Sequence, residues 1–495
     1  MDWVASAGAI QWRIQPFVDG RYRASAAIDL LDNVNPATER TLCRLSAGDV
    51  SDVDAAVRAA RRRFDDGCWC DLPPGKRGEI LLTLAELVRQ HKAGFALLDT
   101  LEMGKPITAA LYDAEWFAPA VLRSCAGFAD KLFGDSAPLS GGGTLTCNVY
   151  EPRGVIGAIT AWNFPIVNAV IKVAPALAAG NCVVLKPSEL TASSALKLAE
   201  LALEAGVPEG VLNVVPGLGS TVGAALALHP DVDLLSFTGS TLTGRKLQEL
   251  AGRSNGKPLL LECGGKSPQI VFDDVEDLDA VAEATVHSAM WNQGQVCIAR
   301  SRLLVHRDVK EPLLERILTR VKRYVPEDPL SEATTFGPLA SPAQRERVKA
   351  CIEQGIQEGA ETVVKGVIQE EGGCYVSPTI FDRVESSMSI AREEIFGPVL
   401  SVQSFITEEE ALTLANETTY GLAATVWTRD MGRARRMARA IRAGSICIRS
   451  SGEESLESPF LLSHEPQKAS GFGSELGRRG LEAYSTLKSI TFVGN

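Results

Sequence analysis

Three short segments carry side chains that together can do acyl chemistry. Cys297 lies in the polar, glycine-containing stretch NQGQVCIARSR, Asn292 to Arg302. A thiol attacks a carbonyl as the thiolate, so it needs a lowered pKa or a base within reach. Glu262 ends an apolar run and opens a Gly-Gly turn in LLECGGKSP, Leu260 to Pro268. A carboxylate projecting from a strand-to-turn junction into a cleft can take a proton from a thiol or a water. Asn163, in TAWNFP (Thr160 to Pro165), offers an uncharged amide NH2 suited to a developing oxyanion. Each has a plainer reading when taken singly: a small buried thiol, a capping or ion-paired carboxylate, and a turn residue shortly before Pro165.

A second set of segments has the character of a phosphate and sugar site. KPSE follows an apolar run and places Lys186 and Glu189 where ribose hydroxyls can be held. FTGSTLTG, Phe237 to Gly244, sets Gly239 and Ser240 between a strand and a helix, where free backbone N–H groups can face a phosphate. GLGSTVG, Gly217 to Gly223, contains Gly219 and is one residue longer than the usual dinucleotide fingerprint; a tight strand–helix turn explains it as well. In EEIFGPV, Glu394 and Phe396 are spaced to meet a ribose and a nicotinamide ring. Solvated loops account for these segments equally when each stands alone.

Alternating strands and helices must position these residues. Apolar runs at Gly154–Thr160, NCVVLKP, Val211–Val215 and Val232–Phe237 predict strands. Helical spacing separates them at about Pro165–Leu177, Thr191–Ala205 and Thr221–Leu228. Repeated βα units make a parallel sheet that binds ligands at the carboxyl ends of its strands. After Glu262 the alternation resumes, with strands at Gln269–Phe272, Leu303–His306 and Val399–Phe405, which predicts a second α/β domain.

Composition narrows the function classes. The chain has 495 residues and a formal net charge of -11, a balance that repels nucleic acid and anionic membrane. The N-terminus lacks a signal-peptide pattern. The longest apolar stretch, Ala169–Leu185, is broken by Lys172, Pro175 and Asn181, so a soluble, cytoplasmic protein is expected. Eleven cysteines at irregular spacings read as reduced thiols. The five histidines lie far apart in sequence, so no metal is expected.

In order and spacing, WNFP, KPSE, FTGST, LECGGKSP, NQGQVC and EEIFGPV resemble the aldehyde dehydrogenase superfamily, from about Phe17 to Thr491. The resemblance implies Cys297 as nucleophile, Glu262 as general base and Asn163 as oxyanion donor, with Lys172 near the cleft. It implies cofactor contacts from Lys186, Glu189, Ser240, Glu394 and Phe396, and Trp162, Gly219, Phe237 and Gly239 belong to the same expected surface. Phe164, Ile171, Trp291, Val296 and Ile298 match positions that line a substrate tunnel. The implied fold is a Rossmann-type parallel-sheet cofactor domain (residues 1–129 and 153–262), an α/β catalytic domain (263–470) and a β oligomerisation arm (130–152 and 471–495). The implied reaction is hydrolytic oxidation of an aldehyde to an acid in a homodimer or homotetramer. Glu189 favours NAD, with NADP possible, because a carboxylate there repels a 2′-phosphate.

The C-terminal stretch departs from the family's pattern. Arg449 stands where an Asn is common, and extra residues, LLSHEP among them, separate Phe460 from Lys468. Glu453, Glu454 and Glu457 form an acidic loop that either attracts an amino-aldehyde or is simply solvated. The alternatives are a dehydrogenase specific for an aminoaldehyde or semialdehyde, and a retired enzyme that binds cofactor or serves structurally.

Overall fold

The computed structural model describes residues 1–25, 27, 29–137, 144–451 and 462–493. Five parallel strands form the centre of the first sheet: β1 (Val155–Ile159), β2 (Cys182–Lys186), β3 (Leu212–Val214), β4 (Leu234–Thr238) and β5 (Leu259–Glu262). Their spatial order is β3-β2-β1-β4-β5. β1 and β2 are apolar and buried throughout, as parallel strands covered on both faces must be. The crossovers are α1 (Pro165–Ala178), α2 (Ser193–Glu204) and, after β4, α3 (Thr241–Arg253). Pro165 opens α1 where its missing N–H costs nothing. Gly206, at φ +104°, lets the chain turn away after α2.

The chain runs from β1 outward through β2 to β3, then returns to β4 on the other side. That reversal leaves a crevice beside β1, where such sheets accept ligands. Register fixes what lines it. Ile159 pairs with Lys186 on one side and Phe237 on the other, and Thr238 pairs with Glu262. Glu262 therefore lies one residue beyond the row of Lys186, Ile159, Phe237 and Leu261, at the same carboxyl end of the sheet.

The second sheet contains β6 (Pro268–Val271), β7 (Arg302–His306), β8 (Glu361–Val364), β9 (Thr379–Asp382), β10 (Val399–Phe405), β11 (Ala423–Trp427) and β12 (Ser445–Arg449), in the order β8-β9-β10-β7-β6-β11-β12. All pairings are parallel except β8 with β9. Alternate residues feed two separate cores: Val271 and Leu303 pack on one face, Ile270 and Leu304 on the other. This is the period-2 alternation of a strand covered on both sides.

The C-terminal boundary differs from the expected one. Residues 471–484 do not belong to the arm. Gly471–Phe472 pairs antiparallel with β5 in the first sheet, and Leu481 and Tyr484 are buried in that sheet's core. The arm at the C-terminus begins at Ser485. Its strand, Ser485–Val493, pairs along its full length with Thr144–Pro152 of the same chain, so the hairpin and the last strand satisfy each other. Among the described residues no strand lies beside the other edge of Ser485–Val493, and Leu487, Phe492 and Val493 are exposed. Among the described residues, no helix is long and apolar enough to cross a membrane.

Candidate active site

The loop before Cys297 is built from backbone conformations that ordinary residues avoid. Asn292 and Gln293 have φ of 49° and 58°, and Gly294 follows at 71°. Left-handed geometry costs a non-glycine residue about 1–3 kcal/mol and persists where the surroundings hold it. Here Asn292 Nδ2 donates to the Asn163 carbonyl at 2.9 Å, and the Gln295 side-chain oxygen accepts from Ala340 N at 2.9 Å. The loop delivers Cys297 half-buried, between buried Val296 and exposed Ile298.

The Gly-Gly turn after β5 lies against this loop. A Cβ on Gly265 would overlap the Cys297 carbonyl oxygen, and one on Gly264 would overlap the Glu394 carboxylate. Only glycine allows such an approach. Gly265 N donates to Glu394 Oε1 at 2.9 Å, so the turn holds both the nucleophile's loop and Glu394. Glu262, at the end of β5, is buried, and its Oε1 has no hydrogen-bond partner among the described residues.

Asn163 is buried beside the same loop. Its Nδ2 donates to the Gln295 carbonyl at 3.0 Å, and its Oδ1 accepts from Asn168 Nδ2 at 3.1 Å. One N–H of the amide thus fixes its orientation, and the other remains for a ligand.

Charge in the site is set by burial. Burial, then the fields of Glu262 and Glu394, pushes the Cys297 thiol up to about 12. Burial, with Glu475 adding to it and Lys172 opposing it, raises Glu262 well above the carboxylate range. Lys172, on α1, is fully buried and ion-paired with Glu475. Glu475 went unread in the sequence. His464 did too, and its Nε2 lies 3.6 Å from Glu262 Oε1. The wide spacing of the histidines was therefore a poor guide: ligand atoms of Glu262, His464 and Glu475 come within 4.8 Å of one another. The buried Lys172 ammonium already offsets charge in this group.

The residues expected to meet a cofactor lie around the crevice. Lys186 is buried at the end of β2, its Nζ donating to the Pro187 carbonyl at 2.7 Å and to Glu189 Oε2 at 3.3 Å. Ser240 caps α3, accepting from Thr243 N at 3.2 Å. Gly239 passes so close to the Phe237 ring that a Cβ would collide with it. Gly219 begins the exposed turn after β3. Trp162, just beyond β1, meets Phe396 edge-on at 5.3 Å between centroids, joining the two halves of the molecule. Glu394 is raised to about 7, chiefly by burial. A helix N-terminus, a Lys–Glu pair and close-packed glycine in one crevice fit a dinucleotide.

Of the expected tunnel residues, Phe164 and Trp291 are in contact, with centroids 5.1 Å apart. Lys105 Nζ sits 3.5 Å from the Phe164 ring centre. Ile171 packs partly buried against the core of the first sheet. Arg449 lies 4.6 Å from the Trp427 ring centre. Glu453, Glu454, Glu457 and Phe460 lie outside the described residues.

The sequence model of the aldehyde dehydrogenase family matches residues 22–490. An aminoacetaldehyde dehydrogenase of Pseudomonas aeruginosa is 42% identical over 99% of this chain and 97% of its own.

The chain belongs to the aldehyde dehydrogenase family.

As a member, it is an oxidoreductase acting on aldehydes. Another aldehyde dehydrogenase, the NADP/NAD-dependent PuuC of Escherichia coli, is 42% identical over 99% of this chain and 97% of its own. Among solved aldehyde dehydrogenases, KauB of Pseudomonas aeruginosa superimposes with a TM-score of 0.96 at 42% identity, covering 99% of each chain. The indole-3-acetaldehyde dehydrogenase of P. syringae, solved with NAD+, gives the same TM-score, identity and coverage. The α/β fold expected from the sequence is thus the family's fold.

Proposed function

We propose that this aldehyde dehydrogenase oxidises its substrate to a carboxylic acid by covalent catalysis at Cys297, preferring NAD to NADP. The observation that carries the reading is the meeting of three segments: the Gly264–Gly265 turn against the Cys297 backbone, Asn163 bonded to Gln295, and Glu262 ending the adjacent strand.

The Cys297 thiolate adds to the aldehyde carbon, and the free N–H of Asn163 with the Cys297 backbone N–H receives the oxyanion. NAD(P), when bound, supplies the hydride acceptor. Lys186 and Glu189 hold its adenosine ribose, Ser240 a phosphate, and Glu394 and Phe396 its nicotinamide end. Oxidation of the adduct leaves a thioester on Cys297 Sγ. Glu262 takes a proton from water as the water oxygen bonds to the thioester carbon, and the acid leaves as the Cys297 thiolate returns, with the proton still on Glu262. Lys172 and Glu475 keep charge balanced behind the base. Residues up to 262, less the hairpin, form the cofactor domain, and the catalytic domain follows.

An aminoaldehyde substrate is the second reading. It is favoured by similarity to the aminoacetaldehyde dehydrogenase and to a γ-glutamyl-γ-aminobutyraldehyde dehydrogenase of Burkholderia cenocepacia, 41% identical with a TM-score of 0.95 over 99% of each chain. Phe164 and Trp291 are the aromatic rings a substrate cation would meet, with Lys105 over Phe164 and His287 stacked near Trp291.

The test is reduced-cofactor formation from aliphatic, aromatic, amino- and carboxyl-bearing aldehydes, with NAD and NADP in parallel. Wild type turns over and Cys297→Ala does not, with cofactor binding kept. Cofactor binding without turnover by wild type would restore the retired-enzyme alternative.

A further inference from the structure

His464 lies in the segment where this chain carries extra residues, and its position is built rather than incidental. His464 N donates to the Glu475 carbonyl at 3.1 Å, and Glu475 N donates back to the His464 carbonyl at 3.0 Å, an isolated antiparallel bridge. Ser463 Oγ donates to the Leu476 carbonyl at 2.7 Å and accepts from Arg479 N at 3.0 Å. Glu465 holds the Ser474 hydroxyl. Residues on both sides of His464 are therefore tied to the 474–479 stretch.

This anchoring brings Nε2 to 3.6 Å from Glu262 Oε1, the buried oxygen without a hydrogen-bond partner. That separation exceeds a hydrogen bond, and a small side-chain rotation closes it. Catalytic contacts are often long before substrate binds and tighten afterwards. The two side chains also differ in access: His464 is 30% exposed and Glu262 10%. Lys172, the other cation here, is fully buried and held by Glu475. The imidazole thus touches both the buried carboxyl and solvent.

We propose that His464 is a positioning residue for Glu262 that relays its proton to solvent. The proposal rests on Glu262 being the hydrolytic base. Once Glu262 has taken a proton from the attacking water, Oε1–H gives that proton to neutral Nε2, leaving carboxylate and imidazolium. The imidazolium releases one proton to solvent and returns to the neutral ring. No electrons move, and the base is reset for the next turnover.

Among the described residues, three charged or titratable groups face the ring: Glu262 from β5, Glu475 from the segment after Gly471–Phe472, and Lys172 from α1. Burial lowers the basicity of His464, Glu475 opposes that shift and Lys172 adds to it. The ring is accordingly neutral at pH 7, the form that accepts a proton.

The test uses the full-length enzyme with His464→Gln, His464→Ala and Glu262→Gln. With a good aldehyde and NAD, both His464 variants should keep the rapid burst of reduced cofactor, which reports acylation. Their steady-state rate should fall about tenfold, a modest share of what general acid–base groups contribute. The acidic limb of the kcat–pH profile should change, and added imidazole should restore His464→Ala but not His464→Gln. An unchanged steady-state rate and pH profile overturns the proposal, as does equal loss of burst and turnover. Activity abolished by a chelator and restored by zinc also overturns it, by making His464 a metal ligand. Normal turnover in Glu262→Gln would instead mark failure of the base assignment on which the proposal depends.

Discussion

At the scale of single residues, the site's acids are held in the wrong protonation state for chemistry until ligands arrive. The Cys297 thiol, pushed up to about 12, is almost wholly protonated at neutral pH. Its alkylation by iodoacetamide should therefore be slow in the free enzyme and rise about tenfold per pH unit between 7 and 10, because only thiolate reacts. NAD+, whose nicotinamide ring is positive, should accelerate alkylation at fixed pH. Peptide mapping would follow Cys297 among the other free cysteines. Fast, pH-independent modification without cofactor would contradict this electrostatic picture. Glu394, raised to about 7, gives a second pH signature. Its carboxylate loses charge as pH falls through 7, so the KM for NAD should rise below that pH, and Glu394→Gln should raise KM and remove the trend. Cys297, Glu262 and Asn163 were legible in sequence because each sits in a motif with neighbours that explain it. Glu475 and His464 were not, because they come from the far end of the chain and meet Glu262 only through the fold.

At the scale of elements, the decisive feature is the close passage of the Gly264–Gly265 turn over the Cys297 loop. A methyl group on Gly265 meets backbone, which cannot rotate away. Gly265→Ala should therefore reduce kcat by at least tenfold while leaving NAD affinity, set mainly beyond β2 and β4, within about threefold. Steady-state kinetics beside a cofactor titration check this, and wild-type kcat would show that the turn does not position the thiol. The strands of the first sheet were readable as uninterrupted apolar runs such as VIGAI and CVVLK. In the second sheet, β8, β9, β11 and β12 escaped the pattern. TIFD is four residues long and ends in a charge, and SICIR is largely solvent-facing, so neither shows a clean run or alternation. Helices were placed to within a few residues, since Pro165 and Gly206 mark boundaries directly.

At the scale of the whole molecule, the C-terminal segment serves both the site and the arm. Gly471–Phe472 edges the first sheet, Glu475 and His464 reach the base, and Ser485–Val493 continues into the arm. The outer edge of that last strand carries exposed Leu487, Phe492 and Val493, and we propose that a second copy pairs there. A chain ending at Tyr484 should run at lower mass than the full chain in sedimentation velocity; unchanged assembly would place the interface elsewhere. The sequence assigned residues 471–484 to the arm because nothing local distinguishes them from it, and only pairing with β5 separates the two.

The central claim is that an acyl group passes through Cys297 and waits there for water activated by Glu262. Mass spectrometry of the Glu262→Gln enzyme, quenched after mixing with aldehyde and NAD, tests it most directly. The account expects a mass increase equal to the substrate's acyl group, confined to the Cys297 peptide, dependent on NAD and much shorter-lived in wild type. No acyl adduct despite formation of reduced cofactor, or an adduct on another cysteine, would contradict it.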